Sequence, residues 1–314
     1  MFSRRGIIRL GTASVGTLAL RQFGLMPALA QSVPDYRALV CVFLFGGNDS
    51  NNTIIPTDDA SYTAYQSARG VLAVPMSAMA PVTSVSGAPY GFHTLLKELA
   101  SLFSSKELAV VANVGSLVQP VTRAIYRAPQ APVPANLFSH LDQQAQWQTS
   151  VAQGNSVTGW AGRAADYVAA QNINSSSFPT VLSLSGNVLE GAGVRTQSIA
   201  MNAGASLQLA GFNTSAAAQA RLNALTNLLT TDNGVSLVQA ANRVMSMSMD
   251  DAKDLANALS KATPFKTTFP GTSLGAQLKQ VAQIIQAQSL LGMSRQIFFC
   301  SLGGFDTTRA NWAL

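Results

Sequence analysis

Arg37-Ala-Leu-Val-Cys-Val-Phe-Leu-Phe-Gly46-Gly47-Asn48-Asp49-Ser50-Asn51-Asn52 joins an apolar run to a glycine pair and then to an acidic, amide-rich tail. The run from Ala38 to Phe45 has no polar alternation, so it reads as a strand buried on both faces inside a parallel sheet. The glycines let the backbone turn sharply and approach a ligand. Ligands of open α/β sheets bind beyond the carboxyl ends of the strands, which is where Asp49 would stand. The pattern recurs in Ile297-Phe-Phe-Cys-Ser-Leu-Gly303-Gly304-Phe305-Asp306. Two such strands would deliver Asp49 and Asp306 to one edge, within reach of one cation. Each Gly-Gly-x-Asp taken alone also reads as a turn followed by a helix cap.

Working outward, residues 1–30 read as a leader. Ser3-Arg4-Arg5-Gly6-Ile7-Ile8-Arg9 has the form of a twin-arginine export signal, and Ala28-Leu29-Ala30 that of its cleavage site. The expected location is therefore the bacterial periplasm or the exterior, with the twin-arginine machinery as a partner. The stretch Leu10–Leu20 is too short and too rich in Gly, Ser and Thr for a membrane span, so none is expected in the mature form. The leader holds four of the 20 Lys and Arg and none of the 14 Asp and Glu. The mature chain thus has a net charge of about +2, not the +6 of the whole. No basic run remains to track a phosphate backbone, which argues against nucleic acid as a partner.

Residues 31–314 are long enough for one α/β domain with a sizeable core. Cys41 and Cys300 precede their aspartates by eight and six residues. On neighbouring strands the sulfurs would be offset by roughly 7 Å, so two buried free thiols are expected rather than a bridge. A helix through Tyr62 and Tyr65 is expected with Asp58 or Asp59 as its cap, followed by a loop at 71–91 with a small hairpin. The apolar spacing from Phe92 to Phe103 predicts a helix opened by His93, which reads as a partly buried polar group more readily than as a ligand. Leu108–Asn113 then reads as a second buried strand completing a βαβ unit with the first.

A proline-rich loop at 116–135 leads to Asn136-Leu-Phe-Ser139-His140-Leu141-Asp142. Ser139-x-x-Asp142 has the form of a capping box, so Ser139 is a plain cap or a nucleophile at an anion-favouring helix start. The same terminus disfavours the His140 cation and leaves a neutral imidazole suited to metal. Gly159-Trp160 opens a further helix, and Pro179–Ser185 reads as a third strand. From about 203 to 292 the chain turns rich in Ala, Gln, Leu and Asn, with helical spacing at 215–230, 234–262 and 275–291, an added helical layer. Met245, Met247 and Met249 read as gap-filling rather than as metal ligands.

These landmarks together resemble a bacterial family known as domain of unknown function 1501, related to the alkaline phosphatase and sulfatase superfamily. The resemblance rests on the leader, Leu44–Pro56, Ser139-His140-Leu-Asp142 with Trp147, Gly159-Trp160, and Gly303-Gly-Phe-Asp306-Thr307. It implies a three-layer α/β/α sandwich with a mostly parallel, alkaline-phosphatase-like sheet and a divalent-metal site (zinc, manganese or calcium) at its carboxyl edge. Asp49, His140, Asp142 and Asp306 are the implied ligands, Ser139 the implied nucleophile, and a small phosphate or sulfate ester the implied substrate. Thr308 stands where the family pattern has His, and the family runs on for about another hundred residues, so the chain reads as C-terminally truncated. The function expected is that of a metal-dependent ester hydrolase, or else of a non-catalytic exported binding or assembly protein that has lost the metal.

Overall fold

The computed structural model describes residues 35–204, 214–231 and 234–305. The expected leader at 1–30, Asp306 and Thr308 lie outside the described residues. Seven strands occur in the described chain, β1 (Arg37–Gly46), β2 (Ile54–Pro56), β3 (Met79–Thr83), β4 (Pro89–His93), β5 (Val181–Ser183), β6 (Ile199–Ala200) and β7 (Arg295–Phe305). The helices are α1 (Asp59–Arg69), α2 (Lys97–Ser104), α3 (Arg123–Tyr126), α4 (His140–Thr149), α5 (Trp160–Ala170), α6 (Ala216–Thr230), α7 (Ser236–Leu259) and α8 (Ser273–Gln286). The chain divides into two compact units, one formed by residues up to Phe43 with Ser116–Leu302, the other by Leu44–Gly115 with the residues from Gly303 onward.

The first unit is an α/β structure on a mostly parallel sheet of order β1-β7-β5-β6. Strands β5 and β7 pair in parallel with Leu182 opposite Phe298, and β5 and β6 pair in parallel with Leu182 opposite Ile199. Alternation along the strands sends side chains to two separate cores. Val181 and Ile297 face the small residues Ala161, Ala164 and Ala165 of α5. Leu182, Phe298 and Cys300 face Leu255 and Ala258 of α7 and Val281 and Ile284 of α8. Helices therefore cover both faces, as continuous apolar strands require. The three expected helical segments of the Ala- and Gln-rich region are present as α6, α7 and α8, with Thr272 capping α8 through Gly275 N at 3.1 Å. The three methionines of α7 do not gather on one face, and Met247 is 56 % exposed.

The opening strand forms where its apolar run predicts, but it is not an inner strand. Among the described residues β7 is its one neighbour in the sheet, so β1 lies at the edge there, and Val42 is 41 % exposed. The buried position belongs to the second repeat, since Arg295 to Cys300 are all buried. Apolar composition specifies that a strand is sticky on both faces; the order of pairing decides which strand is enclosed. Gly303 and Gly304 do not stop the second strand either, because β7 runs through them to Phe305. Both thiols are free, with Cys300 buried and Cys41 half-buried.

The second unit holds an antiparallel sheet of order β2-β4-β3, with Ile55 opposite Gly91 and Pro81 opposite Gly91 on the other side. Helix α1 is capped by Asp58, whose carboxylate accepts from Ser61 N at 2.9 Å, and it buries Tyr62 against Ile55, Val74 and Met79. The hairpin expected between 71 and 91 is the β3–β4 pair. His93 caps the 3₁₀ turn ahead of α2, its Nδ1 accepting from Leu95 N at 3.2 Å, the capping role of a polar group rather than a ligand's. The expected strand at 108–113 does not form. Those residues pair with no strand among the described residues, Val111 is 76 % exposed, and Asn113 takes φ 58°. A strand exists only where its backbone groups meet a partner's, and here no strand is laid against 108–113 among the described residues. The βαβ unit read from the sequence is therefore absent here.

Candidate functional site

The residues read as functional fall in both units. At the start of β1 and β7, Arg37 N donates to Ser294 O at 2.9 Å. At the far end, Gly47 N donates to Phe305 O at 2.9 Å. The two Gly-Gly motifs are thus joined by a bond from Gly47 to the residue after Gly304, and each motif also holds a glycine with positive φ, 113° at Gly46 and 92° at Gly304. A side chain at either position would be strained. The repeat seen in the sequence is thus a spatial pair, the turn after β1 set against the end of β7.

Beyond the first turn, Asn48–Asn52 is tied down by side chains from α1. Tyr65 Oη donates to Asn52 Oδ1 at 2.7 Å, while Asn52 Nδ2 donates to Leu72 O at 3.0 Å. The Asp49 carboxylate is ion-paired with the guanidinium of Arg69, in a pair only partly open to solvent. Arg69 was not singled out by sequence reasoning. It lies twenty residues further along the chain at the end of α1, and no local pattern links the two. A guanidinium here supplies the positive charge that a divalent ion would otherwise bring.

Ser139, His140 and Asp142 come together on one turn, as their spacing requires. Ser139 caps the ten-residue helix α4, its Oγ accepting from Asp142 N at 3.3 Å. In return, the side chains of Ser139 and Asn136 donate to the Asp142 carboxylate and hold it below the usual carboxylate range. The hydroxyl half of the box predicted from Ser-x-x-Asp is made, whereas Ser139 N donates to Asn136 O at 2.8 Å and the carboxylate meets the serine side chain instead, so the hydroxyl is engaged both as donor and as acceptor. Replacing Ser139 with Ala is expected to lower stability by about 1 kcal/mol, the usual worth of a cap. Urea unfolding checks this, and an unchanged midpoint would refute the cap's contribution.

The rest of α4 is held by buried polar groups. Gln146 Nε2 donates to Ala135 O at 2.7 Å, and Gln146 O accepts from Ser116 Oγ at 3.1 Å. Gln148 Oε1 accepts from Glu190 N at 3.2 Å, and Arg163 donates to Thr149 O at 2.7 Å. Glu190, which the sequence gives no reason to notice, is 1 % exposed, and its Oε1 has no hydrogen-bond partner. Burial pushes its carboxyl up to about 8, against the opposing pull of a hydrogen bond with the Cys41 side chain. The Cys41 thiol is itself pushed up to about 12 by burial, then by Glu190 and Cys300. At neutral pH Glu190 is a buried neutral acid and Cys41 a protonated thiol. Neither is poised as a nucleophile.

The fit of a metal follows from these positions. Among the described residues no three His, Cys, Asp or Glu side chains gather where an ion could be held. Ser139, His140 and Asp142 belong to the first unit, Asp49 belongs to the second, and Asp306 lies outside the described residues. Asp49 is already neutralised by Arg69, and Asp142 is committed to its cap. No curated protein and no solved structure matches this chain. Residues 36–310, most of the chain, match the family described as "Protein of unknown function (DUF1501)", and the chain belongs to that family.

Proposed function

We propose that the protein is exported through the twin-arginine route to the periplasm or beyond, and acts there as a non-catalytic binding or assembly component. Its scaffold on this reading is an alkaline-phosphatase-like α/β/α sandwich, supported by the helices packed on both faces of the parallel sheet. The observation that carries the non-catalytic reading is the ion pair between Asp49 and Arg69. A carboxylate that already has a guanidinium gains little from a cation, and displacing Arg69 would leave a partly buried charge unpaired. The doubly engaged Ser139 hydroxyl points the same way, because a nucleophile needs a base to take its proton. Thr308, where the resemblance implies an imidazole, adds a sequence argument.

The competing reading, a hydrolase of phosphate or sulfate esters, is favoured by one observation. The Gly47–Phe305 hydrogen bond sets the two Gly-Gly motifs side by side, and Asp306 is the next residue. Elemental analysis of the purified full chain distinguishes the two. The expected result is less than stoichiometric zinc, manganese or calcium, with no turnover of p-nitrophenyl phosphate or sulfate above background. One equivalent of metal that disappears in Asp49→Ala would overturn the non-catalytic reading and restore the hydrolase.

A further inference from the structure

A cleft of about 1,070 Å³ opens in the first unit between the start and edge of the parallel sheet and helix α7. It is of the size that encloses a drug-sized ligand. Buried Phe178 and Leu255 form part of its floor, and Val244 and Met247 line it as exposed apolar side chains. Strand β6 contributes Ile199 and Ala200 to the wall and is the last strand of the sheet. Its partner β5 lies on one side. On the other side no strand pairs with this two-residue strand among the described residues.

Two opposite charges, Arg195 and Asp251, line this cleft without a side-chain partner among the described residues. Arg195 stands on a loop fixed from beneath by Asp166, whose carboxylate accepts from Val194 N at 2.7 Å, Arg195 N at 3.0 Å and Thr196 N at 2.8 Å. Burial raises the Asp166 carboxyl, but these bonds and that from Thr196 Oγ1 outweigh it and hold the group below its usual range. The loop is thereby preorganised with its guanidinium exposed. Asp251 of α7 is half-buried and makes no hydrogen bond or ion pair among the described residues. Burial, with Asp254 and Asp250 adding, pushes its carboxyl up to about 6. Such a group gains from a cation brought against it. Asn187 and Asn202, which also line the cleft, offer amide donors and acceptors.

We propose that this cleft binds a short zwitterionic peptide, its backbone laid along the open edge of β6, its ammonium group on Asp251 and its carboxylate on Arg195. An extended peptide satisfies an exposed strand edge through main-chain hydrogen bonds. A terminal carboxylate meets a guanidinium as a bidentate pair. Both charges being used separates a peptide from a simple anion or cation. The site draws on none of Asp49, Ser139 or Asp306, so it stands or falls apart from the reading of those residues.

Titration of the full chain with trialanine, followed by calorimetry and thermal shift, tests it. Saturable binding in the millimolar range or tighter is expected, weakened about tenfold or more by N-acetylation or by C-terminal amidation. Asp251→Asn should bind trialanine as weakly as the wild type binds the acetylated peptide, and Arg195→Gln should do the same for the amide. Asp49→Ala should bind trialanine as the wild type does. No saturable binding, equal binding of blocked peptides, or unaltered affinity in both cleft variants would overturn the assignment. Both substitutions are at groups without side-chain partners among the described residues, and an undiminished thermal midpoint of the free variants verifies that they fold.

Discussion

Raising the pH from about 4.5 to about 8 is expected to remove roughly 4 kcal/mol of folding stability through Glu190 alone, at about 1.4 kcal/mol per pKa unit. Folding lifts this carboxyl from 4.5 to about 8 because burial disfavours its charge. Between those values the folded chain holds a proton that the unfolded chain has released. Stability is therefore fully present below pH 4.5 and is lost as the pH rises through the folded value. Carboxylates held low by hydrogen bonds, Asp142 and Asp166 among them, act in the opposite sense and at lower pH. The difference between wild type and Glu190→Gln isolates the effect, since the amide keeps the shape and does not ionise. Urea unfolding from pH 5 to pH 9 should show the wild type losing ground to the variant across this window. Parallel profiles would mean that Glu190 is solvated in solution.

Gly162→Ala is expected to destabilise the protein by roughly 3 kcal/mol, although local reasoning gives the opposite sign. Gly162 lies inside helix α5, where alanine is the better residue by about 1 kcal/mol. A Cβ there would come within 2.1 Å of the carbonyl carbon and oxygen of Ala192. The obstacle is backbone rather than the end of a flexible side chain, and that backbone is fixed. Ala192 O accepts from Gly159 N at 2.8 Å, and the turn Leu189–Gly191 just before it carries buried Glu190. Either the helix withdraws from the turn or the turn shifts and exposes the buried acid. Gly115→Ala serves as the control, because no atom stands within 4 Å of its Cβ, and it should change stability little. Equal thermal midpoints for the two variants would refute the close approach.

Both expectations turn on the short segment Leu189–Gly191, which sequence reading passed over. Its importance comes from what surrounds it. Gln148 of α4 bonds its backbone, Cys41 of β1 bonds its carboxyl, and α5 packs against it without a Cβ between. Those partners lie up to about 150 residues away in the chain, and no spacing rule connects them.

The sequence by itself determined the elements whose causes are local. Apolar spacing placed α6, α7 and α8, Ser139 and Asp58 were legible as caps, and the run before Gly46 was legible as a strand. Each depends on groups within about four residues of one another, so a short window contains the whole interaction. The repeated Gly-Gly motif was legible too, and its two copies do lie hydrogen-bonded together. Only the tertiary structure decided that β7 is enclosed while β1 is the edge, and that residues 108–113 find no strand to pair with. It alone gave Asp49 its Arg69 partner and made Glu190 a buried acid. Strand order, ion pairing and burial are set by groups distant in the chain, and the free energy of each depends on which neighbour excludes water. A pattern of residue types does not carry that information.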